Sequence, residues 1–167
     1  TLLAGYLYWE VTRDTPRVEP IETTGCDNPF ITPLGTTMLS GHRSGGGIAP
    51  ENTMMALKNC VESTEYRLDI FEFDIHLTAD DVPVLIHDGT LDRTSDAAEV
   101  FGRENVKVGE KTFEELKQLN MGAKFTADSG EMPFAQLTEG DAALDDLRII
   151  SLEEALTYLE SSGEYSY

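Results

Sequence analysis

Cysteine is scarce: the 167 residues hold two, Cys26 and Cys60, with no CxxC and no Cys/His spacing of a zinc site. Two thiols impose no framework, so a disulfide outside the cell and a pair of free buried thiols both remain open. Basic residues are few as well, 12 Lys and Arg against 31 Asp and Glu, for a formal net charge of −19. That balance argues against binding nucleic acid or an anionic membrane surface. The chain also lacks a long hydrophobic run. Its most apolar stretch, residues 1–9 (TLLAGYLYW), is nine residues long, whereas crossing a bilayer takes about 20. GxGxxG spacing is absent, and no Lys-Ser/Thr follows Gly45, Gly46 and Gly47. The pattern therefore argues against a nucleotide-binding phosphate loop, and the glycines read as a pliable turn between elements. There is no internal repeat and no low-complexity tract.

What is present fits a soluble α/β protein with one core: 40% hydrophobic and 26% charged residues. The acid is concentrated after Asp88, in residues 128–131 and 139–146, where it keeps a surface solvated.

From 68 to 77 the letters alternate. The alternation predicts a strand with Phe71, Phe73, Ile75 and Leu77 on one face and Glu72, Asp74 and His76 on the other. Two carboxylates two residues apart on a strand point the same way and repel each other when bare. A cation between them removes the repulsion, and hard oxygen donors suit magnesium, calcium or manganese rather than zinc. A second apolar run, 82–88 (VPVLIHD), reads as a buried strand that ends in His87 and Asp88. A weaker strand over 37–40 stops at Gly41, with His42 and Arg43 just beyond it. All three histidines of the chain fall among these strands.

Those residue types divide the work of cleaving a phosphodiester. One proton must leave the nucleophile and one must reach the departing alkoxide, and histidine is the side chain that ordinarily titrates near neutrality. The anionic transition state calls for a metal and for an arginine whose planar fork matches phosphate oxygens. Arg43 is placed to supply that fork. A helix is expected from near Pro50, with Glu51 at its positive end and Met54, Leu57, Cys60 and Val61 recurring at helical spacing. Further helices are expected over 112–119 and from Ser151, where Ser151 and Glu154 form an S-x-x-E capping box. Residues 95–111 and 126–148 read as two long loops.

Taken together, GHRSGGGIAPENT (41–53) and EFDIHLTADDVPVLIHDGTLDRT (72–94) resemble the glycerophosphodiester phosphodiesterase family, and KTFEELKQLNMGAKF and IISLEEAL look like its usual continuation. The resemblance covers roughly residues 38 to 160. It implies a TIM (β/α)8 barrel, present here as its amino-terminal part over 37–167, with residues 1–36 as an apolar stub and linker. It implies metal-dependent hydrolysis of glycerophosphodiesters to glycerol 3-phosphate and an alcohol. His42 and His87 would be the general acid and base, Arg43 would bind the substrate phosphate, and Glu72 and Asp74 would ligate a divalent cation, Ca2+ or Mg2+. Glu51 and Asn52 match the segment that supports the site. Ser44 stands where the family commonly has glycine.

The family also takes a third metal carboxylate, and usually a lysine, from the strand expected beyond Tyr167. A full barrel runs about 250 residues, so the sequence reads as part of a phosphodiesterase. Residues 1–9 then read either as the end of a membrane anchor or signal segment, with Tyr6, Tyr8 and Trp9 at the interface, or as a stub packed on the barrel. The anchor would put the protein at a membrane or on the extracellular face; otherwise it is cytoplasmic. The competing functions are a related phospholipase acting on lipid headgroups and a catalytically silent binding module.

Overall fold

The computed structural model describes residues 38–163 and 165–167. The apolar segment 1–9, the linker through 36, Cys26 and the first residue of the expected opening strand lie outside the described residues.

The first layer is parallel. Strand β1 (Ser40–Gly41) pairs in parallel with β2 (Ile70–Phe71), in the register Ser40 with Ile70 and Gly41 with Phe71. Ile70 also makes a parallel bridge to Ser166: the Phe71 N–H donates to the Ser166 carbonyl at 2.8 Å, and the Ser166 N–H to the Asp69 carbonyl at 3.0 Å. Helix α1 (Met54–Val61) lies between β1 and β2 in the chain, so strand, helix and parallel strand follow one another. Such crossovers put apolar helix faces on a parallel sheet. Leu57 and Cys60 of α1 are accordingly buried with Leu68, Phe71 and Leu85.

α1 starts four residues later than the sequence predicts. Asn52 has φ +56°, a left-handed conformation that cannot propagate a right-handed helix. The cap is Thr53, whose hydroxyl accepts from the Ala56 N–H at 3.3 Å.

The strand expected over 68–77 is broken. Residues 72–74 change partners: the Glu72 N–H donates to Gly41 O at 3.1 Å, whereas the Asp74 carbonyl accepts from Ile86 N–H at 2.9 Å. Beyond the break, β3 (Ile75–Leu77) is one arm of an antiparallel hairpin with β4 (Pro83–Leu85), in the register Ile75 with Leu85 and Leu77 with Pro83. The alternation does not carry through the break. Phe71 is buried, but Ile75 and Leu77 are 46% and 56% exposed. The run 82–88 is thus a hairpin arm whose Val84 and Leu85 are buried, with His87 and Asp88 just past its end.

The hairpin and the residues beyond it build a second core. Val84, Ile86, Leu91, Val106, Val108, Leu116, Leu119 and Ile149 pack together. The two expected loops hold short helices, α2 (Ala97–Phe101) and, later, α4 (Ala142–Asp145). Between them α3 (Phe113–Leu116) occupies the helix expected over 112–119, shorter than the sequence suggests and opened by a Thr112/Glu115 capping box. The final helix, α5 (Leu152–Ser162), starts from the expected Ser151/Glu154 box: the Ser151 hydroxyl accepts from Glu154 N–H at 3.1 Å, and the Glu154 carboxylate from Ser151 N–H at 2.8 Å. α5 buries Ala155 and Leu159 in the first core and leads the chain back to Ser166. Among the described residues, no helix is long and apolar enough to cross a membrane.

Candidate active site

The site is assembled at the ends of β1, β2 and β4. Past Gly41 the chain makes a tight turn, with Arg43 at φ +50° and Ser44 at φ +62°. Non-glycine residues rarely adopt this conformation. Here it is held by backbone bonds from three directions. Ser44 N–H donates to Glu72 O at 2.8 Å, Asn52 N–H to Arg43 O at 2.9 Å, and Arg43 N–H to the Glu72 carboxylate at 2.8 Å. The exposed His42 ring lies with Nε2 4.0 Å from Glu72 Oε2. Ser44 is buried and its hydroxyl finds no partner, so the position carries both a strained backbone and an unsatisfied oxygen.

The Arg43 side chain runs between two acids. Its Nη1 lies 3.2 and 3.1 Å from the two oxygens of Glu51, and its Nε lies 3.9 Å from Asp74 Oδ2. Asn52 Nδ2 donates to the same Asp74 oxygen at 3.3 Å, while Asn52 Oδ1 is buried without a partner. Glu51 is therefore in contact with Arg43, and Asn52 with Asp74.

On the other side, His87 Nδ1 is 2.6 Å from Asp88 Oδ1. Arg93 donates to Asp88 through Nε at 2.6 Å and to Glu51 through Nη2 at 2.6 Å and Nη1 at 3.0 Å. Hydrogen bonds from Arg93, then from His87, hold the Asp88 carboxyl down at about 2. Burial pushes the Glu51 carboxyl up, but the hydrogen bonds from Arg93 and Arg43 outweigh it and keep it below its ordinary range. The pairing of Arg93 with both acids raises its own value. A cleft of about 320 Å³ opens beside this pair, lined by Gly46, Glu51, Arg93, Thr94, Lys124 and Phe125.

The structure thus gathers His42, Arg43, Glu51, Asn52, Glu72 and Asp74 around one turn, with His87 reaching it through Asp88 and Arg93. His76 stands apart, its Nε2 3.1 Å from the His87 carbonyl. The contacts of Asp88 and Arg93 were not foreseen. Both lie inside the HDGTLDRT stretch, but Arg93 and Glu51 are 42 positions apart and nothing local announces that they meet. Among the described residues, no group of three or more His, Cys, Asp or Glu side chains is placed to hold a metal.

The sequence profile of the glycerophosphoryl diester phosphodiesterase family matches residues 42–165. A mouse glycerophosphodiester phosphodiesterase 1 is 36% identical over 127 residues, 76% of this chain and 31% of that protein. A human glycerophosphoinositol inositolphosphodiesterase is 40% identical over 88 residues, 52% of this chain and 16% of that protein. In structure, the chain resembles an Oleispira antarctica phosphodiesterase solved in complex with the product sn-glycerol-3-phosphate, with TM-score 0.53, 26% identity, and coverage of 75% of this chain and 41% of that one. This chain spans less than a third of these two curated relatives. The parallel strand–helix units are those of the (β/α)8 barrel of such enzymes, and the chain belongs to the glycerophosphoryl diester phosphodiesterase family.

Proposed function

We propose that the protein carrying this chain hydrolyses glycerophosphodiesters to glycerol 3-phosphate and an alcohol, with His42 and His87 as its proton carriers and Arg43 as its phosphate clamp. The observation that carries this reading is the placement of both histidines about Arg43, one beside Glu72 and the other linked through Asp88, Arg93 and Glu51. An ionised carboxylate only accepts hydrogen bonds. A His87 ring with its proton on Nδ1 would donate it to Asp88 and leave the Nε2 lone pair free, the arrangement of the histidine–aspartate pairs of hydrolases. One histidine takes a proton from the attacking water as its oxygen bonds phosphorus. The other gives a proton to the alkoxide as the bond from phosphorus to the alcohol breaks. Which histidine plays which part is left to the pH dependence of the two single variants.

The donors at the turn fit a hard divalent cation. Glu72 and Asp74 would supply carboxylate oxygens, and the Asn52 amide, whose nitrogen bonds Asp74, has its own oxygen buried with no hydrogen bond. These residues would hold Ca2+ or Mg2+, whose chemistry is to neutralise charge on the phosphate oxygens. Arg43 already lies near Asp74, so its guanidinium would share that task.

The test is turnover of glycerophosphocholine and glycerophosphoinositol by the full-length protein, with and without a chelator. Retention of near-normal activity in His42→Ala or His87→Ala would sink the assignment. Calorimetry with calcium and with magnesium tests the carboxylates, since binding that survives Glu72→Gln unchanged would remove Glu72 from the ligand set.

A further inference from the structure

His87 lies past the end of β4, in a bend, with a side chain 41% exposed. A proton carrier in such a place needs something to hold its ring. The ring is bonded to Asp88, and Asp88 is gripped by Arg93 through Nε at 2.6 Å and Nη2 at 3.2 Å. The same guanidinium grips both oxygens of Glu51, which holds Arg43 in turn. Five side chains therefore form an unbroken line from the phosphate arginine to the histidine. The line also crosses between the two cores. Arg43 and Glu51 flank α1 of the first, whereas Asp88 and Arg93 flank Leu91 of the second.

We infer that Arg93 is a positioning residue of the reaction, which locks the His87–Asp88 pair to Glu51 and Arg43 and so sets the proton carrier at a fixed place relative to the phosphate clamp. The inference rests on the reading of His87 as a proton carrier. Its chemistry is that of the guanidinium fork. One planar group bonds two carboxylates at once, in fixed relative orientation, which a lysine ammonium at the same place cannot do. Arg93 also fixes the Asp88 carboxylate, which lies 2.6 Å from His87 Nδ1, in the place where it meets that ring. The Arg93 side chain is 44% exposed. Its partners Glu51 and Asp88 are 16% and 29% exposed, so the loss of Arg93 costs some stability, and the signature of a positioning role is a loss of rate in protein that is still folded.

The experiment compares the full-length wild type with Arg93→Gln, Arg93→Lys, His87→Asn and the double variant His87→Asn/Arg93→Gln on glycerophosphocholine, with a melting curve for each. Displacing a reacting group by an ångström costs roughly 100-fold. Arg93→Gln is therefore expected to lower kcat on that scale while KM stays close to wild type, with the rate measured well below the variant's own melting temperature. Arg93→Lys, which reaches one carboxylate, recovers part of the rate and serves as the test variant should the glutamine protein fail to fold. The double variant is expected to be no slower than His87→Asn, because Arg93 acts through that ring. Losses that multiply, or a change confined to KM, overturn the inference. If the wild type turns over no glycerophosphodiester, the proposed activity fails, and the positioning claim is then read from nitrogen NMR of the His87 ring. An Nδ1–H signal bonded to Asp88 in the wild type and lost in Arg93→Gln supports it; identical ring spectra in the two proteins defeat it.

Discussion

The parallel unit of β1, α1, β2, α5 and Ser166 and the hairpin with its following segment each bury a core, but they hold their share of the site by different means. In the parallel unit, His42 and Arg43 sit in a turn whose main chain is fixed by Glu72 and Asn52, through bonds of 2.8 to 2.9 Å. In the hairpin region, His87 is held by a chain of charged side chains, Asp88, Arg93 and Glu51. A main-chain hold depends on strand register and tolerates changes of surface charge. A side-chain hold depends on charge and geometry at each link, and is open to pH and to single substitutions. The first half of the site is thus a property of the barrel, and the second is a property of a few ion pairs beside it.

The sharpest way to break the comparison is to remove one proposed proton carrier from each region. His42→Ala and His87→Ala are each expected to lower kcat by about 10² to 10⁴, the range of a general acid or base. A large effect in one and none in the other would show that only one region belongs to the site. Next come the cores. Phe71→Ala empties the first core and is expected to destabilise by about 3 to 5 kcal/mol, and Leu116→Ala the second by about 2 to 5 kcal/mol. Hydrogen exchange after each cut tells whether the cores open separately, as two clusters imply, or as one. A smaller effect is expected at Ser44, whose φ of +62° and unpartnered hydroxyl glycine would relieve. Ser44→Gly should raise stability in thermal unfolding by about 1 kcal/mol, the order of the left-handed penalty, and leave the main-chain hold on Arg43 intact.

The smallest effect is on acid stability. The folded carboxyl of Asp88 is lowered to about 2 from an ordinary 3.8. Its contribution is present above pH 3.8 and is lost as the pH falls through about 2, because the unfolded chain takes up the proton first. Asp88→Asn should flatten the stability curve in that window. The main-chain contacts at Glu72 and Asn52 would leave the Arg43 turn as it is.

Much of this was legible in residue order where the cause is local. The Ser151/Glu154 box and the buried face of α1 lie within a turn or two of the residues that form them. The histidine, arginine and paired-carboxylate motifs pointed to the family because each is a short run of neighbouring residues, 41–53 and 72–94. Where structure departs from local pattern, a remote partner decides. Alternation over 68–77 predicted one strand, but residues 72–74 hand the backbone from β1 to Ile86. Pro50 looked like a helix start, until Asn52 was bound to the carbonyl of Arg43.

The sequence by itself determined which groups are available for the chemistry and which short segments coil or extend, since propensity, caps and motif spacing act over a few residues. Only the tertiary structure decided that the chain leaves β2 for a hairpin of β3 and β4, that the Asn52 amide bonds Asp74 through its nitrogen and leaves its oxygen unpaired, and that Arg93 ties Asp88 to Glu51. The hairpin depends on the hand-over of residues 72–74 from Gly41 to Ile86, and the ties of Asn52 and Arg93 on bonds between positions 22 and 42 residues apart, whose geometry exists only once both cores have packed.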